Sequence, residues 1–169
     1  MKNLFFSFLL VLLSMPNVGF SDVRVKNWPR TPFEEALRWR GADEKHTQDA
    51  EALMWYFERY LDKAVNPVQT PWCAAFIDAV LYKTGHKRMN TLWARDFLKY
   101  GEGVEGMPKK GDIVILKRKE NYGHVGFFVR FRKDKNGNQL VAVLGGNTDG
   151  KVEIGYWTMD KVLGYRRIE

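Results

Sequence analysis

Near Gly101 the hydrophobic pattern of this chain changes period, and that change limits the folds open to it. Upstream, apolar residues recur at helical spacing: Leu53, Phe57 and Leu61 lie four apart, and Ala74, Ile77, Val80 and Leu81 form a stripe. Downstream, Ile113-Val114-Ile115-Leu116 is a short apolar run, and Val125, Phe127, Val129 and Phe131 alternate. The first pattern buries one stripe of a helix; the second buries one face of a strand. Asn136-Gly137 between two such strands is a strong hairpin signal. Helices first and hairpin-linked strands after predict an α+β fold with an antiparallel sheet.

Local signals divide the chain further. Thr31-Pro32-Phe33-Glu34 combines a threonine cap, a first-turn proline and a capping-box glutamate, predicting a helix to about Arg40, stopped by Gly41. A second helix is expected over Asp49 to Leu61, broken by Asn66-Pro67. Thr70 is expected to cap a third, with Pro71 in its first turn and Gly85 ending it; Thr91 is expected to cap a fourth, through Tyr100. Further strands are expected over Leu140 to Leu144, Val152 to Trp157 and Leu163 to Ile168. With 169 residues, the chain suits one domain with a real core.

Residues 1–21 stand apart. Lys2 precedes the apolar run from Leu4 to Leu13, followed by Pro16, Gly19 and Ser21. A positive start, an apolar run of roughly ten residues and small residues before a cut describe a secretory signal. The run falls short of the roughly twenty apolar residues a membrane-spanning helix needs. The expectation is therefore an exported protein, periplasmic or secreted, cleaved after Ser21 and without an integral membrane segment thereafter. The competing reading keeps the segment as an anchor or core helix. No cysteine lies near the cut to carry a lipid.

The formal charge is +7, and basic residues are scattered over Lys109-Lys110, Lys117-Arg118-Lys119, Arg130 to Lys135 and Arg166-Arg167. Such a surface is drawn to anionic polymers, but no nucleic-acid motif accompanies it and no nucleic-acid partner is expected. One cysteine and three histidines without ligand spacing give no structural zinc site, and no phosphate-cradling glycine loop is present. No metal or cofactor is expected, and nothing identifies an inhibitor or immunity partner. His46 and His86 lie in polar stretches and read as surface residues.

A single cysteine in an oxidising compartment is either buried or chemically used. Capping at Thr70 would place Cys73 at the third helical position, where free backbone N–H groups and the helix dipole lower a thiol pKa. The alternative is a small buried hydrophobe. Tyr122-Gly123-His124-Val125-Gly126 puts a histidine at a strand start, on the face opposite Val125 and Phe127, with Gly123 and Gly126 clearing space beside it. A loop symmetric about Asn136-Gly137 sets Asn147 opposite Gly126, diagonal to His124 at roughly 5–8 Å. Cys73, His124 and Asn147 then form a nucleophile, a base and an orienting group. A bulge would turn Asn147 away, the stretch Gly145-Gly146-Asn147-Thr148-Asp149-Gly150 also reads as a plain turn, and Asp149 is the alternative orienter. Trp72, Trp93, Tyr122 and Gly123 flank this cleft in sequence as candidate substrate contacts; for the tryptophans, core packing is the competing role.

These blocks resemble a known family. Pro71-Trp72-Cys73-Ala74-Ala75-Phe76, Pro108-Lys109-Lys110-Gly111-Asp112-Ile113-Val114, Gly123-His124-Val125-Gly126-Phe127 and Val143-Leu144-Gly145-Gly146-Asn147 are similar to blocks of CHAP-type and NlpC-type hydrolases. The resemblance runs from about Pro71 to Arg167, with residues 22–69 showing less of it and residues 70–169 forming the catalytic core. It implies a papain-like fold with N-terminal helices packed on a C-terminal antiparallel sheet. It also implies Cys73 as nucleophile, His124 as base, Asn147 as the polar third member, and peptidoglycan as substrate, cut as a stem-peptide endopeptidase or an N-acetylmuramoyl-L-alanine amidase.

Overall fold

Thr31 opens helix α1 (Pro32–Leu37) with both halves of the expected capping box: its hydroxyl accepts from the Glu34 N–H at 3.3 Å, and Glu34 accepts from the Thr31 N–H at 3.0 Å. The structure, a computed structural model, describes residues 30–169, so the segment read as a secretory signal lies outside the described residues. α1 ends earlier than expected, and the chain turns on to Gly41, where φ is +98°. Helix α2 (Thr47–Leu61) buries Leu53, Phe57 and Leu61, the predicted stripe. Helix α3 (Cys73–Lys83) begins three residues later than the predicted cap. Thr70 instead closes a turn, its N–H donating to Asn66 O at 3.0 Å, and Trp72 is the N-cap. The expected fourth helix is a short 3-10 helix, Ala94–Lys99. Thr91 still organises its start, accepting from the Trp93 N–H at 3.0 Å and donating to Asp96 at 2.5 Å.

The sheet has six antiparallel strands: β1 (Glu102–Gly103), β2 (Ile113–Lys117), β3 (Gly123–Lys133), β4 (Gln139–Thr148), β5 (Lys151–Thr158) and β6 (Val162–Arg167). Their order is β1-β6-β2-β3-β4-β5. This is the α+β architecture anticipated from the change of period; β1, only two residues long, carried no signal. Asp112 fixes the entry to β2, accepting from the Lys109 N–H at 2.8 Å and from Arg167 of β6 at 3.1 and 2.7 Å.

Both faces of the sheet are apolar. On the helix side, Ile113, Ile115, Val125, Phe127 and Leu144 pack with residues of all three helices in the main core. On the other side, Val114, Leu116, Phe128, Val141 and Val143 form a second cluster under Phe131, Trp157 and Tyr165. Phe131 departs from the expected alternation. A register shift between Phe128 and Arg130 turns it onto the second face, where its ring lies 4.9 Å from Phe128. The β3–β4 loop is also not the symmetric two-residue turn expected. Lys133 pairs with Gln139, and Asp134 gathers the Asn136 and Asn138 N–H groups.

Candidate active site

Cys73 is the first residue of α3, not the third, and its side chain is 5% exposed. Burial pushes its thiol pKa up, against the lowering expected from the helix terminus. A backbone hydrogen bond with Val125, the Arg118 charge and the backbone at Ala74 and Cys73 act in the opposite direction but do not win. The thiol is therefore held neutral, beside the strand residue that follows His124.

His124 is fully buried. As parity required, it points to the sheet face opposite Val125, where it stacks on Trp157 with centroids 5.2 Å apart and 22° between planes. Its Nε2 lies 3.5 Å from Thr148 Oγ1, and its Nδ1 has no partner. Burial first, and then the Arg118 charge, push its pKa down to about 3, so the ring is neutral across the physiological range. Among the described residues no hydrogen bond joins the Cys73 thiol to the ring.

The space around the ring comes from a different glycine than expected. A Cβ on Gly145 would lie 3.0 Å from His124 Nε2. On Gly126 it would meet Leu144 O at 2.6 Å, and on Gly123 it would meet Arg95 at 3.0 Å and Leu116 O at 3.1 Å. Gly145-Gly146 is thus more than a tight strand end, because a Cβ on Gly146 would approach Trp72 Cζ3 to 2.4 Å and Phe76 to 2.8 Å. That close approach seats α3 on β4.

Among the described residues no hydrogen bond joins Asn147 to the ring. The register between β4 and β5 shifts between Gly145 and Thr148, and Asn147 takes φ +57°, which points the chain out of the ladder. It is held through its backbone, Arg118 Nη2 donating to its carbonyl at 3.1 Å. Asp149, the other candidate orienter, is exposed at φ +54°. Thr148, between them, supplies the hydroxyl beside Nε2.

The four candidate substrate residues separate. Trp72 is core: it is fully buried, packs tilted against Phe57 and edge-to-face against Phe76, and donates from Nε1 to Glu44 at 2.7 Å. Trp93, Tyr122 and Gly123 do meet at Cys73, lining with Pro71 and Leu92 a groove of about 400 Å³. Trp93 and Tyr122 are 59% and 62% exposed, their rings 6.3 Å apart and 26° from parallel. The groove wall is tied to α3 by Asp78, which is buried in that helix and accepts from the Met89 N–H at 2.7 Å and the Thr91 N–H at 3.1 Å. His46 and His86 lie away from the groove, as read, on Asp49 and Thr84.

Three contributors escaped the sequence reading. Arg118 was counted among scattered surface charge, Trp157 as one of several strand aromatics, and Thr148 as a turn residue. The signal that could have found Arg118 is its place two residues after Leu116, the β2 residue that pairs with His124.

Residues 65–147, from just after α2 into β4, match the family model of the CHAP domain. No curated protein matches the chain.

Proposed function

We propose that this protein is an exported thiol hydrolase, since residues 65–147 match the family model of the CHAP domain, a cysteine- and histidine-dependent amidohydrolase or peptidase domain found in peptidoglycan hydrolases. Its substrate is an amide bond of cell-wall peptidoglycan. Cys73 is the nucleophile and His124 the base. The observation that carries this reading is the aromatic groove that opens on Cys73 beside the strand start bearing His124, whose Nδ1 is a buried ring nitrogen without a partner. A buried polar atom without a partner is costly, and such atoms recur at reactive centres.

The chemistry follows from a neutral pair. Thr148 beside Nε2 suits the tautomer that carries its proton there, leaving the Nδ1 lone pair free. As Cys73 Sγ attacks the amide carbonyl, its proton passes to His124, so thiolate forms only with substrate in place. The Cys73 N–H, unpaired within its own helix because it belongs to the first turn, faces the developing oxyanion. The imidazolium then protonates the leaving amine. Water, activated by the same ring, releases the acyl group and restores the thiol.

Digestion of purified peptidoglycan by protein from Asp22 onward, with fragments read by mass spectrometry, tests the proposal. Cys73→Ala should lower release by about a thousandfold or more. The fragment masses separate an endopeptidase from an amidase. A second reading, a wall-binding protein that keeps the fold without turnover, is favoured by the absent thiol–imidazole hydrogen bond. No fragment release from folded protein that still binds several wall types would establish it over the first, and equal release by both proteins would remove Cys73 as the nucleophile.

A further inference from the structure

Arg118 is a cation without a carboxylate partner among the described residues, and its charge acts on both Cys73 and His124. Its guanidinium lies 5.7 Å over the Trp157 ring, which itself stacks on His124. One N–H goes to Asn147 O. A guanidinium has five N–H donors, so the exposed side of this one keeps most of them. Its backbone N–H donates to Tyr122 O at 3.0 Å, tying it to the residue whose ring lines the groove.

The same cation opposes the reaction. The His124 ring is flanked by Leu116 of β2, Gly145 and Thr148 of β4 and Trp157 of β5, none of them charged. Arg118 is the charged group that acts on it, and it disfavours the imidazolium that general-base catalysis must form. A bound anion on Arg118 would cancel that field at the moment the proton moves. Planar, bidentate geometry matches a carboxylate best.

We infer that Arg118 is a substrate-binding residue that recognises a carboxylate on an anionic stem peptide, holding it at the rim of the Cys73 groove and offsetting its own charge on His124. This rests on the peptidoglycan reading above and names the part of the substrate that the site selects. Peptides whose carboxylates have been converted to amides lose both the contact and the neutralisation.

The test compares purified muropeptides bearing free carboxylates with the same muropeptides after carbodiimide amidation with ammonia. The unaltered protein should show a kcat/KM at least about tenfold higher on the free acids. Arg118→Gln should bring the two substrates within about twofold, by losing rate on the free acids, which lose their partner, and gaining it on the amides, for which the cation opposing His124 protonation is gone. Arg118→Lys, which keeps the charge but not the fork, should fall between. The acid limb of the Arg118→Gln pH profile should move to higher pH, because the cation facing His124 is gone. A preference that survives Arg118→Gln, or no preference in the unaltered protein, overturns the inference while leaving the hydrolase standing. Absence of any Cys73-dependent cleavage overturns the underlying reading instead. Calorimetry on Cys73→Ala with and without Arg118→Gln gives the same comparison without turnover: tighter free-acid binding that disappears with Arg118 supports the inference, and equal affinity overturns it.

Discussion

The two faces of the sheet treat buried polar groups differently. On the helix side most have partners: Glu35 meets Lys83 at 2.8 Å, Asp78 takes two backbone N–H groups and Trp72 Nε1 has Glu44, while Arg95 Nε, in the 3-10 helix, has none. On the opposite side, His124 Nδ1, Trp157 Nε1 and Tyr165 OH are buried with none. One face satisfies most of its buried polar atoms; the other leaves three unsatisfied around the proposed base. A fold keeps such local inconsistency where function needs it.

The largest effect that would break this contrast is on His124. Its folded pKa, about 3, lies below the ordinary histidine value, so between pH 6.5 and 3 the unfolded chain binds a proton that the folded chain refuses. Stability therefore falls as pH drops through that window. His124→Phe, which keeps a ring on Trp157 but cannot ionise, should remove on the order of 4 kcal/mol of that acid-side loss while abolishing cleavage. Urea unfolding of both proteins at pH 7 and pH 4 measures it, and parallel acid losses would show the ring to be solvated. Next is Gly146→Ala, on the helix side. Its Cβ meets Trp72 and Phe76 well inside contact distance, so unfolding should cost about 1–3 kcal/mol less, seen as a lower urea midpoint with unchanged slope. The smallest stability change belongs to Trp93→Ala. This exposed ring should shift stability by no more than about 0.5 kcal/mol yet raise KM for wall fragments. A large loss of stability there would make the groove wall part of the core.

The legible parts of the molecule were those that depend on period and capping. The Thr31 capping box, the α2 stripe and the alternation from Val125 to Val129 all stand where local chemistry placed them. What could not be read depends on irregular backbone. A single extra residue near Val129 and the broken pairing at Gly145 to Thr148 decide which side chain meets His124, and neither leaves a trace in hydrophobic spacing. The thiol was misjudged for another reason. Helix position and burial push a thiol pKa in opposite directions, and burial dominates once Trp72 and Gly146 draw the start of α3 onto the sheet. Trp93 and Tyr122 converged on the groove as the sequence suggested, whereas Trp72 turned inward because Glu44 and Gly146 accommodate it there.

The order of the strands also governs when the molecule can be completed. β2 sits between β3 and β6, and β1 pairs only with β6. Until residues 162–167 leave the ribosome, β2 has an open edge, β1 has no neighbour, and Asp112 waits for Arg167. Synthesis runs from the amino end, so the middle of the sheet waits for its last strand in chain order, and β1 and β2 acquire their shared neighbour only after β3, β4 and β5 have been made.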